Sequence, residues 1–126
     1  MNTLVSESAI VNSILKYLNS VPGCVADKVE GTAKKSGKPD INGCLNGKSI
    51  RIEVKTPDTD WQVTPQQMAN LQKWSECGAL CMVAYSLKFV KTIILPEGRI
   101  CLNTLTMKER NRCLSEVVLS YNGRKL

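Results

Sequence analysis

The sequence predicts an α/β domain: helix, three strands, helix, strand (αβββαβ), a mixed sheet flanked by helices, then an extra C-terminal helix. Three observations carry this expectation. The run Ser49–Lys55 alternates, with Ile50, Ile52 and Val54 on one face and Arg51, Glu53 and Lys55 on the other. Asn46-Gly47 separates that run from Ile41–Leu45, the dipeptide signature of a tight hairpin. Ala79–Ala84, nearly all apolar, reads as a buried strand and follows a helical stretch, so that helix joins two strands of one sheet in parallel.

The first helix is expected over Ser6 to Leu18, capped by Ser6, with Ala9 or Ile10, Ile14, Leu15 and Leu18 recurring at helical spacing. Pro22-Gly23 ends it. Cys24 to Glu30 forms a first strand, with Val25 and Val29 as its core residues, and Gly31 to Lys38 a polar, flexible loop before the hairpin. After the short loop Asp58–Val63, Thr64-Pro65 opens a second helix, a threonine cap with proline at the first helical position. Met68, Leu71 and Trp74 are its buried stripe, and Gly78 stops it. Ser86 to Leu95 fits helix and strand alike, and Arg99 to Leu102 reads as a short edge strand. Thr106 to Tyr121 reads as a third helix: Thr106 and Glu109 form a capping box, and Leu114, Val117, Val118 and Tyr121 share a face.

At 126 residues the chain is expected to be a single domain, 1–126, with a core at about 6–95 and a C-terminal extension at about 96–126. No apolar run approaches the ~20 residues of a membrane span, and the start lacks the pattern of a signal peptide. The expectation is a cytoplasmic protein with no membrane partner. Six scattered cysteines without a Cys-x-x-Cys pair read as small reduced core residues. Histidine is absent, which excludes Ser-His and Cys-His nucleophiles and zinc hydrolases of the histidine type. Any catalysis falls to carboxylates and lysine, with no small-molecule cofactor expected. The net charge is +6, and Lys28, Lys34, Lys35 and Lys38 cluster just before Asp40. Basicity beside carboxylates suits a polyanion, although plain solubility accounts for charge as well.

Glu53 and Lys55 project side by side from one strand face, and Asp40 opens the strand that the hairpin lays beside them. Two carboxylates and an ammonium at one end of a hairpin can hold a hard divalent cation and position a water. The competing reading is a solvated strand face for Glu53 and Lys55 and an ordinary turn for Pro39-Asp40.

Together, Glu7 on the first helix, Gly37-Lys38-Pro39-Asp40, Ile52-Glu53-Val54-Lys55, Thr64-Pro65-Gln66-Gln67 and Gly78 resemble the PD-(D/E)XK nuclease superfamily. Within it, the chain resembles the virus-type replication-repair nuclease (VRR-NUC) family over about residues 6–95, and its specificity lies in five weak elements standing in one order. The resemblance implies a restriction-endonuclease-like core. It implies that Asp40, Glu53 and the Val54 carbonyl ligate Mg²⁺ (or Mn²⁺). Lys55 would orient the water and offset transition-state charge, Glu7 would face the site, and Gln67 would hydrogen-bond the lysine, water or phosphate. Gln66 competes for that last role from one residue away. Glu7 also suits a helix N-terminus by charge–dipole attraction alone. Lys34, Lys35 and Lys38 are the expected nucleic-acid contacts. Trp74, in phase with Met68 and Leu71, reads as core, whereas Trp61 stays open as a base-stacking platform.

The implied function is a metal-dependent DNA endonuclease of repair or recombination, selective for branched DNA or four-way junctions. The resemblance is to stand-alone, phage-type copies acting as homodimers, which in a phage would place it in the host cytoplasm. Two other readings stand beside it. One is a catalytically silent nucleic-acid-binding module, against which the intact carboxylate, carboxylate and lysine set speaks. The other is a sequence-specific restriction-type nuclease, for which no second recognition domain is evident. In the homodimer, the C-terminal region from Arg99 to Tyr121, with its apolar stripe, is the expected contact surface; covering one face of the sheet is the competing role.

Overall fold

The computed structural model describes residues 6–30, 37–56, 63–102, 117–122 and 124–125. Helix α1 spans Glu7–Leu18, and Ser6 Oγ caps it by accepting from the Ala9 amide at 3.1 Å. It buries Val11, Ile14 and Leu18, while Ile10 and Leu15 flank that stripe half-buried. Ala9 is exposed, so Val11 supplies the first fully inward contact in its place.

Strands β1 (Cys24–Lys28), β2 (Ile41–Leu45) and β3 (Lys48–Val54) form an antiparallel meander. Asn46 and Gly47 have φ of 49° and 87°, the paired left-handed conformations of the expected two-residue turn. Helix α2 (Pro65–Glu76) then returns the chain to β4 (Leu80–Ala84), parallel to β3 with Ile50 opposite Leu80 and Glu53 opposite Val83. Helix α3 (Leu87–Ile93) follows, capped by Ser86 and burying Phe89, Val90 and Ile93; it resolves the ambiguous stretch as helix. Strand β5 (Val117–Val118) pairs antiparallel with β4, so the sheet is mixed and runs β1-β2-β3-β4-β5. Ser120–Tyr121 (β6) and Arg124–Lys125 (β7) form a separate small hairpin.

The two sheet faces have different covers. Ile41, Leu45, Ile50, Ile52, Val54, Leu80 and Met82 pack with α1 and α3 in the main core. On the other face a smaller cluster joins Cys81 and Val83 to Leu71, with Trp74 partly buried against it. The alternation read along β3 therefore holds: its isoleucines and valine line the main core, and its charged residues face the α2 side.

Three expectations about elements are corrected. Residues 117–121, expected as the end of a third helix, are strands, and Val118 is buried in the main core. Two adjacent β-branched residues fit a pleated edge beside β4, where the Leu119 amide also donates to the Cys81 carbonyl at 2.8 Å. The rest of that predicted helix lies outside the described residues. In β1 the inward residues are Cys24 and Ala26, while Val25 is 65% exposed and Val29 falls beyond the strand. Arg99–Leu102 makes a single bridge, Ile94 with Ile100, instead of a strand.

Among the described residues the reading of the cysteines as core holds for Cys24 and Cys81: Cys44 and Cys77 are exposed, and Cys101 is half-buried. Burial pushes the Cys81 thiol up to about 12, which leaves it protonated and inert. Cys113 lies outside the described residues.

β1 is an outer strand of the sheet, and Asn19, the C-cap of α1, lies along it. Its carboxamide donates to the Ala26 carbonyl at 3.0 Å and accepts from the Ala26 amide at 2.9 Å. The Cys24 amide is taken by the Val21 carbonyl at 3.1 Å.

Candidate active site

The hairpin and the start of α2 converge at the C-terminal end of β3. Asp40 immediately precedes β2, and its Oδ2 accepts from the Val54 amide at 2.8 Å, which ties the residue before one strand to the end of the next. Its own carbonyl accepts from the Val29 amide at 2.8 Å. Because Ile41 pairs with Ile52, the ladder continued by one step sets Asp40 beside Glu53.

Both carboxylates are buried, Asp40 at 1% and Glu53 at 2% exposure, and Lys55 is at 6%. The solvated-face reading of Glu53 and Lys55 is thereby excluded. Lys55 Nζ lies 3.7 Å from Glu53 Oε2. The Lys55 amide donates to the Ala84 carbonyl at 3.1 Å, so the chain stays in register with β4 past the last residue of β3.

Helix α2 brings Gln67 to the same carboxylate. Thr64 Oγ1 accepts from the Gln67 amide at 3.1 Å, and Gln67 Oε1 accepts from the Thr64 amide at 2.9 Å, a reciprocal capping box. That leaves the Gln67 Nε2 group to donate to Glu53 Oε2 at 3.3 Å. Gln66 points elsewhere: Gly37, at φ +80°, sits so close that an added Cβ would lie 2.6 Å from Gln66 Cγ. Of the two competing glutamines, Gln67 meets Glu53 and Gln66 packs on the turn that leads to Asp40.

The electrostatics of Glu53 reflect this crowding. Burial first, then Asp40 through its charge and a shared hydrogen bond, push its carboxyl up to about 9 against the opposing pull of Lys55. Glu7, half-buried in the first turn of α1, adds to the upward push, so its charge is felt at the site. Glu53 Oε1 is buried and finds no hydrogen-bond donor among the described residues.

The chain matches no protein-family model, no curated protein and no solved structure.

A divalent cation fits this donor set. Two buried carboxylates that repel each other, one with an oxygen lacking a donor, are what a positive charge between them would stabilise. Among the described residues no group of three or more His, Cys, Asp or Glu converges. Protein ligation by Asp40, Glu53 and the Val54 carbonyl would leave other positions to water, as Mg²⁺ prefers.

Lys38 is exposed on the approach to Asp40, whereas Lys28 is engaged with Glu30 at 3.9 Å. Lys34, Lys35 and Trp61 lie outside the described residues. Two site neighbours were not foreseen from the sequence: Thr56, 1% exposed directly after Lys55, and Arg51, whose guanidinium lies 3.6 Å over the Trp74 ring. Thr56 had no signal beyond adjacency. Arg51 had one, since it shares the strand face of Glu53. No helix among the described residues is long and apolar enough to cross a membrane.

Proposed function

We propose that this protein is a metal-dependent deoxyribonuclease that hydrolyses phosphodiester bonds, with the selectivity for branched DNA of a repair or recombination enzyme. The observation that carries the reading is the buried Asp40–Glu53 pair with Lys55 Nζ at 3.7 Å from Glu53. Burying two acids together in their ionised forms is costly unless a cation joins them. A lone ion pair would need one carboxylate, not two.

Asp40, Glu53 and the Val54 carbonyl would hold Mg²⁺ or Mn²⁺, which when bound supplies Lewis acidity toward phosphate and lowers the pKa of water. Lys55 contributes a compact positive charge beside the reacting phosphate, where negative charge grows in the transition state. It can also donate a hydrogen bond to the attacking water and hold its oxygen toward phosphorus. Gln67, locked by the capping box, fixes the rotamer of Glu53 and so the direction of its other oxygen. Glu7, whose charge is felt at Glu53, would favour retention of a cation. The exposed Lys38 would neutralise backbone phosphates on the approach.

Purified protein incubated with labelled linear, flap and four-way-junction DNA tests this reading. Cleavage should require Mg²⁺ or Mn²⁺ and stop in EDTA. Asp40→Ala and Glu53→Ala should abolish turnover. Lys55→Ala should lower it by about 10²- to 10³-fold while calorimetry still detects Mn²⁺ binding. Full activity in EDTA would refute the proposal.

A further inference from the structure

A concave region lies on the α2 side of the sheet, at the opposite end of β3 from Glu53. It is a cavity of about 470 Å³ between the Asn46–Gly47 turn and the end of α2, walled by Lys48, Ser49, Trp74 and Cys77. We propose that this cavity is a subsite for one unpaired nucleotide, its base stacked on Trp74 and its phosphate beside Lys48. The inference rests on the nuclease reading and specifies its substrate: DNA carrying an unpaired base near the bond to be cut.

Three observations support the assignment. The volume accommodates one base and its sugar. The lining holds an aromatic ring, a hydroxyl and an ammonium, and no acidic side chain. Lys48 Nζ donates to the Gly78 carbonyl at 2.9 Å and lies 3.5 Å from Asn122 Oδ1, which fixes the ammonium at the rim with a third donor available.

The indole is also held in place for stacking. Arg51 lies over it at 3.6 Å, and Arg51 Nε donates to Ser49 Oγ at 3.3 Å. Arg51 forms no ion pair among the described residues, so its charge adds to a positive rim that attracts phosphate. The guanidinium lies over the ring, and Trp74 also packs against the Leu71 cluster while lining the cavity. Ser49 and Glu53 stand on the same face of β3, four residues apart, or ~13 Å. That span equals about four base-pair rises of B-DNA. A branch or flap base seated here would set the cut a few base pairs away.

Binding measured in EDTA, where no hydrolysis is expected, separates this inference from the nuclease reading. The probes are a short labelled oligothymidylate and a blunt duplex of the same length. Trp74→Ala should weaken oligothymidylate binding roughly tenfold, the loss of one stacked base, and Trp74→Phe should restore most of it. Because Trp74 also packs on Leu71, a second variant guards against a folding defect. Cys77→Leu narrows the cavity from an exposed C-cap position and should cause a similar loss. Duplex affinity should stay unchanged in all three. Unaltered oligothymidylate affinity in Cys77→Leu, or an equal loss on duplex, would overturn the subsite. Failure to cleave with Trp74-dependent binding intact would instead remove the nuclease reading alone.

Discussion

At the scale of single residues, Glu53 is the position with the sharpest consequences. Its carboxyl sits at about 9 in the fold, far above the ordinary 4.5, so the folded chain holds a proton that the unfolded chain has released. Between those values the native state binds more protons, and stability falls as pH rises. Without metal, the contribution of this group is therefore fullest below about 4.5 and lost on approaching 9. Glu53→Gln removes the ionisation and keeps an acceptor for Gln67. In EDTA at pH 8 it should raise Tm by about 5 °C and flatten the decline seen by calorimetry from pH 5 to 9. A parallel decline in both proteins would show that Glu53 is not its source. Much of this site is legible in the sequence, because a period of two along β3 dictates that Glu53 and Lys55 share a face, and a hairpin turn dictates which residue lies opposite. What the pattern cannot reveal is burial: alternation says which way a side chain points, not what covers it.

Among the described elements, those with local signals match expectation. Ser6, Thr64-Pro65 and Asn46-Gly47 are recognisable from a few neighbouring residues, since capping and turn conformations are decided there. The C-terminal segment differs from expectation because Val117 and Val118 fit a helical stripe and a strand equally, and only β4, far away in sequence, decides between them. Val25 departs from expectation for a related reason: which face of β1 is inward depends on the register with β2. The junction of the Gly37 turn with α2 offers a test at this scale. Gly37 has φ +80°, and its missing Cβ leaves room for Gln66. Gly37→Ala should cost about 1–2 kcal/mol from the left-handed backbone alone, with a further cost from collision with Gln66. Pairing it with Gln66→Ala should recover the second part and not the first, as chemical denaturation would reveal. Complete recovery would mean that the backbone angle carries no strain.

For the whole molecule, the net charge of +6 sets the expected response to salt. DNA affinity should fall steeply with salt, and reversing the charge of Lys34, Lys35 and Lys38 should reduce the slope by about one for each phosphate no longer neutralised. A flat response would mean that these lysines face no DNA. The proposed enzyme has one site per chain, so paired cuts across a junction call for a two-fold dimer. Of the C-terminal stripe expected to serve as its surface, Val118 belongs to the core. Sheet continuation through β1 is obstructed at Ala26, and here the Asn19 carboxamide acquires a meaning beyond its two bonds. It imitates the next strand: one side chain presents to Ala26 the donor and acceptor that a neighbouring chain would offer, and so works as a stopper against fibril-like growth. Asn19→Ala would uncork that margin. The variant should sediment as larger, concentration-dependent species and bind thioflavin, while Asn19→Asp, which retains the acceptor alone, should fall between it and the parent protein.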